Sequence, residues 1–432
     1  MTFFETKMPA GWSWETISTR YRITKKPKGR IYSDFKTIPF VPMEAVPLNG
    51  REAVRFELRR PTDIASGTYF EKGDVLLSKI TPSFENGKQG LGDNIPAPFG
   101  VASTEIIPLQ AINPEANHRF LFFYLLHPEV RAALVGKMEG STGRQRVPEH
   151  AVRDFPIPMP PKPEQEKIAA VLWKVQHAIE VEDKLAATAR DLKQSAMQKL
   201  FVYGLRNEGQ KATPYGEVPK SWEVKNLSEW AFVQSGATKG RLISPEEVIE
   251  VPYLRVANVQ DGHLDLAEMK TIRIRHNELE GYRLQKDDVV LTEGGDFDKL
   301  GRGFIWEGQI DPCIHQNHIF AVRVNREYLW PRYFAYLAQS PYGKAYFLTV
   351  AHKTTNLACI NTTKLRAFPV LRPGLDEQKE IANILQTIDR KISIHERKRA
   401  AMSDLFQTLL HQLMTAQIRV DKLDIDTSEV TT

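Results

Sequence analysis

Six cations fall within eleven residues near the start of this chain: Arg20, Arg22, Lys25, Lys26, Lys28 and Arg30, with no acid among them. Arg51, Arg55, Arg59 and Arg60 follow. Clusters of this kind attract polyanions. The other polar groupings are less specific. His315, Gln316, Asn317 and His318 lie in a row, but no H-E-x-x-H or cysteine pair surrounds them with metal-ligand spacing. Gly294-Gly295-Asp296-Phe297-Asp298 holds carboxylates without the EF-hand spacing, and reads as a turn or a loop. Gly87-Lys88 is followed by Gln89, so the phosphate-cradling G-x-x-x-x-G-K-[ST] loop is missing. No strand runs into G-x-G-x-x-G, and no Asn/Asp-Pro-Pro-aromatic tetrad for holding a flipped base occurs. Together these absences favour a binding module over an enzyme.

Composition sets the frame for those residues. A chain of 432 residues with 42% apolar side chains and a mean hydropathy of −0.37 has the character of a soluble protein of two or three domains. No run of about 18 apolar residues reads as a membrane span, and the first residues lack the pattern of a secretion signal. Two cysteines, Cys313 and Cys359, fit a reducing cytoplasm. A net charge of +5 and a pI near 8.9 are compatible with nucleic-acid binding.

The elements that position the polar residues occur twice. Pro163 to Phe201 carries a pattern that returns from Leu375. Glu164-Gln165 recurs as Glu377-Gln378, Ile168-Ala169 as Ile381-Ala382, Leu172 as Leu385, Ile179 as Ile392, Leu192 as Leu405 and Leu200 as Leu413, an offset of 213 residues. The offset extends beyond these segments. Pro39 to Pro42 resembles Val251 to Leu254, Lys72 to Ser78 resembles Lys286 to Thr292, and Thr104 to Ile107 sits where Asn317 to Phe320 sits. Arg119-Phe120 matches Arg332-Tyr333, Phe155-Pro156 matches Phe368-Pro369, and each half opens with a Trp-Glu pair, Trp14-Glu15 and Trp222-Glu223.

Each copy reads as a globular part followed by a long helix. Runs such as Asp74 to Ile80, Thr104 to Leu109, Val289 to Thr292 and Ile319 to Val324 are rich in Val, Ile and Leu and bounded by turn formers, which predicts strands. One helix is expected in each globular part, over Arg119 to Val135 and Arg332 to Thr349. Trp12, Trp14, Trp222, Trp230, Trp306 and Trp330 read as core. In the long helices apolar residues recur at steps of three and four: Ile168, Leu172, Val175 and Ile179, and Ile381, Leu385, Ile388 and Ile392 continuing to Met402, Phe406, Leu409 and Leu413. That is coiled-coil spacing, interrupted by Glu182 and Lys193 in the first copy and by His395 and Arg399 in the second. Some 38 residues at 1.5 Å each make a rod of roughly 57 Å. The fold class is α/β, of the mixed α+β kind: two strand-rich parts separated by two long antiparallel coiled-coil helices under an internal pseudo-two-fold.

The chain resembles the specificity subunits of type I restriction–modification systems. The resemblance rests on P-x-x-E-Q-x-x-I-A at Pro161 to Ala169 with its one-residue-longer copy at Pro373 to Ala382, on Gly216 to Glu223 (Gly-x-x-Pro-x-x-Trp-Glu), on the Lys-x-Asp-hydrophobic strand of each half, and on the Phe-Pro pair before each helix. The first lead-in departs from the pattern, as a truncated Pro9 to Trp12 with Trp14 beyond it. The resemblance implies a first target-recognition domain at 1–160, a spacer helix at 161–205, a second recognition domain at 206–372, a second helix at 373–418 and a tail at 419–432, which is polar and expected to fray. Each recognition domain would read one half of an asymmetric, bipartite duplex DNA site, and the helices would set the spacer and dock two methyltransferase subunits.

No catalysis is implied for this chain. S-adenosylmethionine, ATP and magnesium would be held by its partners, the adenine-methylating modification subunits and the restriction/translocase subunits, in the cytoplasm. The alternative is a stand-alone, non-catalytic DNA-binding or adaptor protein with the same duplicated architecture. Arg, Lys, Asn and Gln in loops are the candidate contacts, because they pair with guanine and adenine edges. They are Lys25, Lys26, Lys28, Arg30, Lys88, Gln89, Arg144, Gln145 and Arg146 in the first half, and Lys239, Arg241, Lys299, Arg302, Gln316, Asn317, Lys353 and Asn356 in the second.

Overall fold

The computed structural model describes residues 7–48, 50–141, 143–240, 247–297, 300–353 and 358–430. The chain divides into two compact units, Met1–Leu185 with His395–Thr432, and Ala186–Ile394. Each long helix therefore contributes to both units.

In the first unit, β1 (Ser13–Thr16) pairs with β12 (Pro156–Met159). A four-stranded sheet follows in the order β2 (Tyr21–Ile23), β9 (Ile106–Ala111), β6 (Val75–Ser78) and β7 (Gln89–Leu91), all antiparallel. A second sheet runs β4 (Glu57–Arg59), β3 (Ile38–Val41), β8 (Phe99–Ala102), β5 (Thr68–Glu71), with β3 and β8 parallel. After the short α1 (Ile17–Arg20) come α2 (His118–Leu126) and α3 (Pro128–Val135), then the hairpin β10 (Glu139–Ser141) and β11 (Arg144–Arg146), and α4 (Glu149–Arg153). The long α5 (Lys162–Tyr203) begins here.

The second unit repeats the plan. Hairpin β13 (Gln210–Thr213) and β14 (Gly216–Pro219) leads to β15 (Glu223–Asn226), which pairs with β28 (Pro369–Arg372). The four-stranded sheet is β16 (Ala231–Ser235), β25 (Ile319–Val324), β21 (Val289–Thr292), β23 (Gly303–Ile305). Its companion is β20 (Lys270–Arg275), β17 (Val248–Leu254), β24 (Ile314–His315), again with one parallel pair. Two-residue strands β18 (Val259–Gln260) and β19 (His263–Leu264) pair beside it, before α6 (Leu279–Tyr282). Then α7 (Pro331–Gln339), α8 (Pro341–Val350), a ribbon of β22 (Gly294–Gly295), β27 (Ala358–Cys359) and β26 (His352–Lys353), α9 (Thr362–Arg366) and the long α10 (Leu375–Met414) complete it.

Several expectations need correction. The single helix expected in each globular part is two helices, because Pro128 and Pro341 each start a new one. His127 and Ser340 cap the new starts. Strand register also re-pairs the tryptophans. Ser13 opposes Met159 and Glu223 opposes Arg372, so the residue before each, Trp12 and Trp222, is the equivalent pair. Trp14 matches Val224 instead. The tail does not fray over its described length: Val420 and Val430 are buried, Lys167 and Lys174 donate to the carbonyls of Asp421 and Asp426, and Asn117 donates to that of Val430.

The polar interruptions of the two helical seams answer one another. In the first unit Glu182 and His395 meet at 2.6 Å, and Asp183 lies 3.6 Å from Arg399. In the second, Lys193 pairs with Asp389 at 2.7 Å, and the Tyr336 hydroxyl donates to the same carboxylate at 2.6 Å. Rising numbers on α5 meet falling numbers on α10, so the helix segments run antiparallel within each unit. Ile168, Leu172, Phe406, Leu410 and Leu413 join the core of the first unit, and Met197, Phe201, Ile381 and Leu385 that of the second.

The repeated Glu-Gln pair binds each globular part to these helices. Gln165 accepts the Asn117 N–H at 3.0 Å and donates to the Glu115 and Pro160 carbonyls at 3.1 and 2.8 Å. Gln378 accepts the Trp330 N–H at 2.7 Å and donates to the Tyr328 and Pro373 carbonyls at 3.0 and 2.9 Å. Asn117 and Trp330 are the N-cap residues of α2 and α7. Buried Glu164 accepts from Trp12 Nε1 and twice from Arg419, just past the end of α10. Glu377 accepts the Leu205 N–H, just past the end of α5, where Gly204 turns the chain at φ +65°. Gln165→Ala and Gln378→Ala are each expected to cost about 2 kcal/mol or more, since each strands a buried N–H and two carbonyls. Urea midpoints of the full chain measure this, and a loss under about 0.5 kcal/mol would contradict the role.

One buried acid distinguishes the units. Asp288 receives two bonds from Arg323, at 2.8 and 2.7 Å. In the first unit the β9 position equivalent to Arg323 is held by Gln110, which donates to Glu71; Asp74 accepts the Glu71 N–H at 2.8 Å, and burial pushes its carboxyl up to about 7. A folded-state value above the unfolded one favours folding when the group is protonated, so stability drains away as pH rises from about 4 through about 7. Asp74→Asn should therefore stabilise the chain at pH 8, on the order of 2 kcal/mol, and by little at pH 4.5. Equal thermal shifts at the two pH values would refute this.

Candidate nucleic-acid interface

One end of the first unit's four-stranded sheet gathers most of the candidate residues. Ile23 opposes Leu109, and the Thr24 N–H donates to the Pro108 carbonyl at 3.0 Å, so Lys25 leads toward the start of β9. At that end Ser78 opposes Ile106, the Ser78 N–H meets the Lys88 carbonyl, and the Lys79 N–H meets the Glu105 carbonyl. The hairpin β10–β11 is tied to the same end, because Thr81 N–H donates to Gln145 O and Val147 N–H to Lys79 O. A cleft of about 250 Å³ there is lined by Arg22, Lys25, Glu149, His150 and Arg153 among others. A second of about 450 Å³, lined by Lys79, Arg146 and Glu149, shares the Glu149 wall.

The basic run from Lys25 to Arg30 crosses the outer face of the second sheet. Lys26 stands over the Tyr32 ring at 4.1 Å and Arg30 over Phe99 at 5.0 Å, cation–π contacts that fix the loop. Lys25, Lys28 and Arg144 are exposed and enter no ion pair among the described residues. Lys88 and Gln145 are half-buried. Arg146 is exposed but bound bidentately by Glu105, whose carboxyl it holds below the usual range. Gln89 is a correction. One register step inside the sheet, it is 1% exposed, donates to Phe122 O and accepts from Arg131, so its amide braces the core. The second basic cluster is also spent internally, in Arg51–Asp183, Arg59–Glu57 and Arg60–Asp63, while Arg55 reaches the Glu44 carbonyl.

The second unit assembles the equivalent end. Ala237 and His315 are joined by backbone at 2.8 Å and Asn317 and Ala237 at 3.0 Å, which places Lys239, Gln316 and Asn317 together. The Thr292 N–H meets the Arg302 carbonyl as Ser78 meets Lys88, and Glu293 meets His318 as Lys79 meets Glu105. Lys353, exposed on β26, joins through β27 and the Gly294-Gly295 strand. A Cβ at Gly294 would stand 2.6 Å from the Ala358 carbonyl oxygen, so this close approach requires glycine. Arg302 is half-buried, with one terminal nitrogen 3.5 Å from the Val256 carbonyl. His315 is fully buried; burial lowers its imidazole to about 4, so it stays neutral at pH 7, and its Nδ1 faces Ile319 O. Arg241, Lys299 and Asn356 lie outside the described residues.

Some cations at these surfaces are not signalled by the sequence. Lys79 and Arg153 enter the first interface only through the fold. On β20, Lys270, Arg273 and Arg275 are exposed while Ile272 and Ile274 are buried. That alternation was legible as a strand with a basic face.

No helix among the described residues is long and apolar enough to cross a membrane. Comparison with known proteins gives a consistent picture. The family of the type I restriction modification DNA specificity domain matches residues 28–189 and again 219–402. The chain is 30% identical over 197 residues to the EcoEI specificity subunit of Escherichia coli, covering 45% of this chain and 33% of that protein. It is 26% identical over 334 residues to the MjaVIII specificity subunit of Methanocaldococcus jannaschii, covering 75% and 76%. Matches to the EcoEI and EcoAI specificity subunits of Escherichia coli span about a third of their length. Among solved structures, a type I restriction–modification S subunit from M. genitalium is 16% identical with a TM-score of 0.56, covering 94% of this chain and 97% of that one. The fold is shared with it. Two matches of one domain model, spaced as the internal repeat is spaced and covering most of the sequence, place this chain in the type I restriction modification DNA specificity domain family.

Proposed function

We propose that this chain is the DNA-specificity subunit of a type I restriction–modification enzyme. Each unit reads one half of a bipartite, asymmetric duplex site with its cationic sheet end. The observation that carries this reading is the convergence of polar side chains on the same sheet end in both units: exposed Lys25 and Arg144 in one, with exposed Lys28 on the loop that follows, and exposed Lys239 and Lys353 beside half-buried Gln316 and Asn317 in the other. Phosphate contacts from such lysines and arginines supply affinity, and amide or guanidinium contacts to base edges supply sequence choice.

The long helices have a separate task in this proposal. The length of α5 and α10 fixes the unread gap between the two halves, and their surfaces dock two methyltransferase subunits. The chain itself does no chemistry. S-adenosylmethionine, ATP and magnesium belong to the modification and restriction/translocase subunits, and discrimination by this chain is a difference between binding free energies.

Alanine at Lys25, Lys28 and Arg144 together tests the first interface. Binding of the full chain to duplex DNA, followed by fluorescence anisotropy across a salt series, should weaken for all sequences. The slope of log K against log salt should fall by about 0.9 for each phosphate that is no longer neutralised. An unchanged slope would remove these residues from the interface.

A further inference from the structure

The two sheet ends share a backbone and carry transposed charge. Lys79 N–H donates to the Glu105 carbonyl at 2.9 Å, and Glu293 N–H donates to the His318 carbonyl at 2.9 Å. At this corner the first unit has a cation leaving β6 and an acid ahead of β9. The second has an acid leaving β21 and an imidazole ahead of β25. Each carboxylate is held by a neighbour. Glu105 accepts from Arg146 Nε and a terminal nitrogen at 2.8 and 2.6 Å, and Glu293 lies 2.7 Å from His318 Nδ1. The side chains reach solvent, at 46% and 22% exposure for Arg146 and Glu105 and 56% and 29% for His318 and Glu293. Core packing therefore does not dictate them.

A carboxylate on a surface that meets a polyanion subtracts from phosphate attraction. Both units nevertheless place one at this corner, on opposite sides of the same backbone bridge. A carboxylate offers about four lone-pair directions, and Arg146 takes two of those on Glu105. What remains is an acceptor held at a fixed angle. In the major groove the matching donors are exocyclic amino groups, above all that of cytosine.

We propose that Glu105 and Glu293 are base-reading residues, each accepting from an exocyclic amino group of the target, with Arg146 and His318 as the positioning residues that orient them. The proposal rests on the DNA-reading function above and adds the chemistry of one position in each half-site. Because the acid stands ahead of β9 in one unit and just past β21 in the other, that position is read from opposite sides of the corner, and the two words differ there. The competing role for Arg146–Glu105 is a staple between β11 and the sheet. A staple would affect stability and overall affinity without moving base preference.

The test uses the full chain with its modification subunits, and reads the methylated motif by sequencing DNA from cells carrying each variant. Glu105→Gln keeps the length and one acceptor, removes the charge and adds a donor. It should change preference at one position of one half-site by about tenfold or more and leave the other half-site intact; Glu293→Gln should do the converse. Arg146→Lys, which keeps charge and loses the fork, should blur the same position as Glu105→Gln. Thermal midpoints of the three variants are measured alongside. Both half-sites unchanged in the two glutamine variants, with or without a fall in stability, overturns the proposal. A wild-type complex that methylates no two-part site overturns the DNA-reading function itself, which is a different failure.

Discussion

The Glu-Gln pair at the start of each long helix, with its glutamine buried in both copies, is the interaction on which the rest of this structure depends. Gln165 and Gln378 satisfy one N–H and two carbonyls each, in the same pattern, and so bind the cap of α2 or α7 to the first turn of α5 or α10. Glu164 and Glu377 reach the chain just beyond the opposite helix, at Arg419 and Leu205. Inside a protein such bonds cost far more to leave unmade than they contribute when made. Each globular part is thus tied by hydrogen bonds to a helix start, and each helix start to the chain just past the opposite helix.

With that base fixed, the opposite requirement applies at the sheet ends. The backbone bridges are equivalent in the two units, from Ser78–Lys88 and Thr292–Arg302 to Lys79–Glu105 and Glu293–His318. The side chains they present are not. The scaffold is thereby separated from the reader: one set of residues must keep its hydrogen bonds, and the other is free to change sign. Asp74 and Asp288 show the same freedom one layer deeper, where arginine binds one acid and burial raises the carboxyl of the other to about 7.

Much of this was legible in the sequence because repeated function leaves repeated spacing. The 213-residue offset exposes the helices, the strand equivalences and the Glu-Gln openings, since each is set by local bonding to residues at constant separation. Three things were hidden. The breaks at Pro128 and Pro341 required weighing a proline at a helix start against a continuous apolar run. The Trp12–Trp222 match emerges only from strand register, because Trp14-Glu15 is the closer match in letters. Gln89 looks like any loop amide, yet its neighbour Lys88 ends at the surface and it does not; a strand alternates, and a single step of register decides. Charge clusters are visible in sequence, but whether Arg59 meets Glu57 or solvent depends on partners brought by the fold.

The central claim is that two separately fixed readers recognise two words across a gap set by helix length. Its most direct test is insertion of one heptad into each of α5 and α10, followed by mapping of methylated sites in cells that carry the partner subunits. Seven residues add about 10.5 Å of helix, equivalent to about three base pairs. The account predicts a gap longer by about that amount with both words unchanged. An unchanged gap, or altered words, would contradict it.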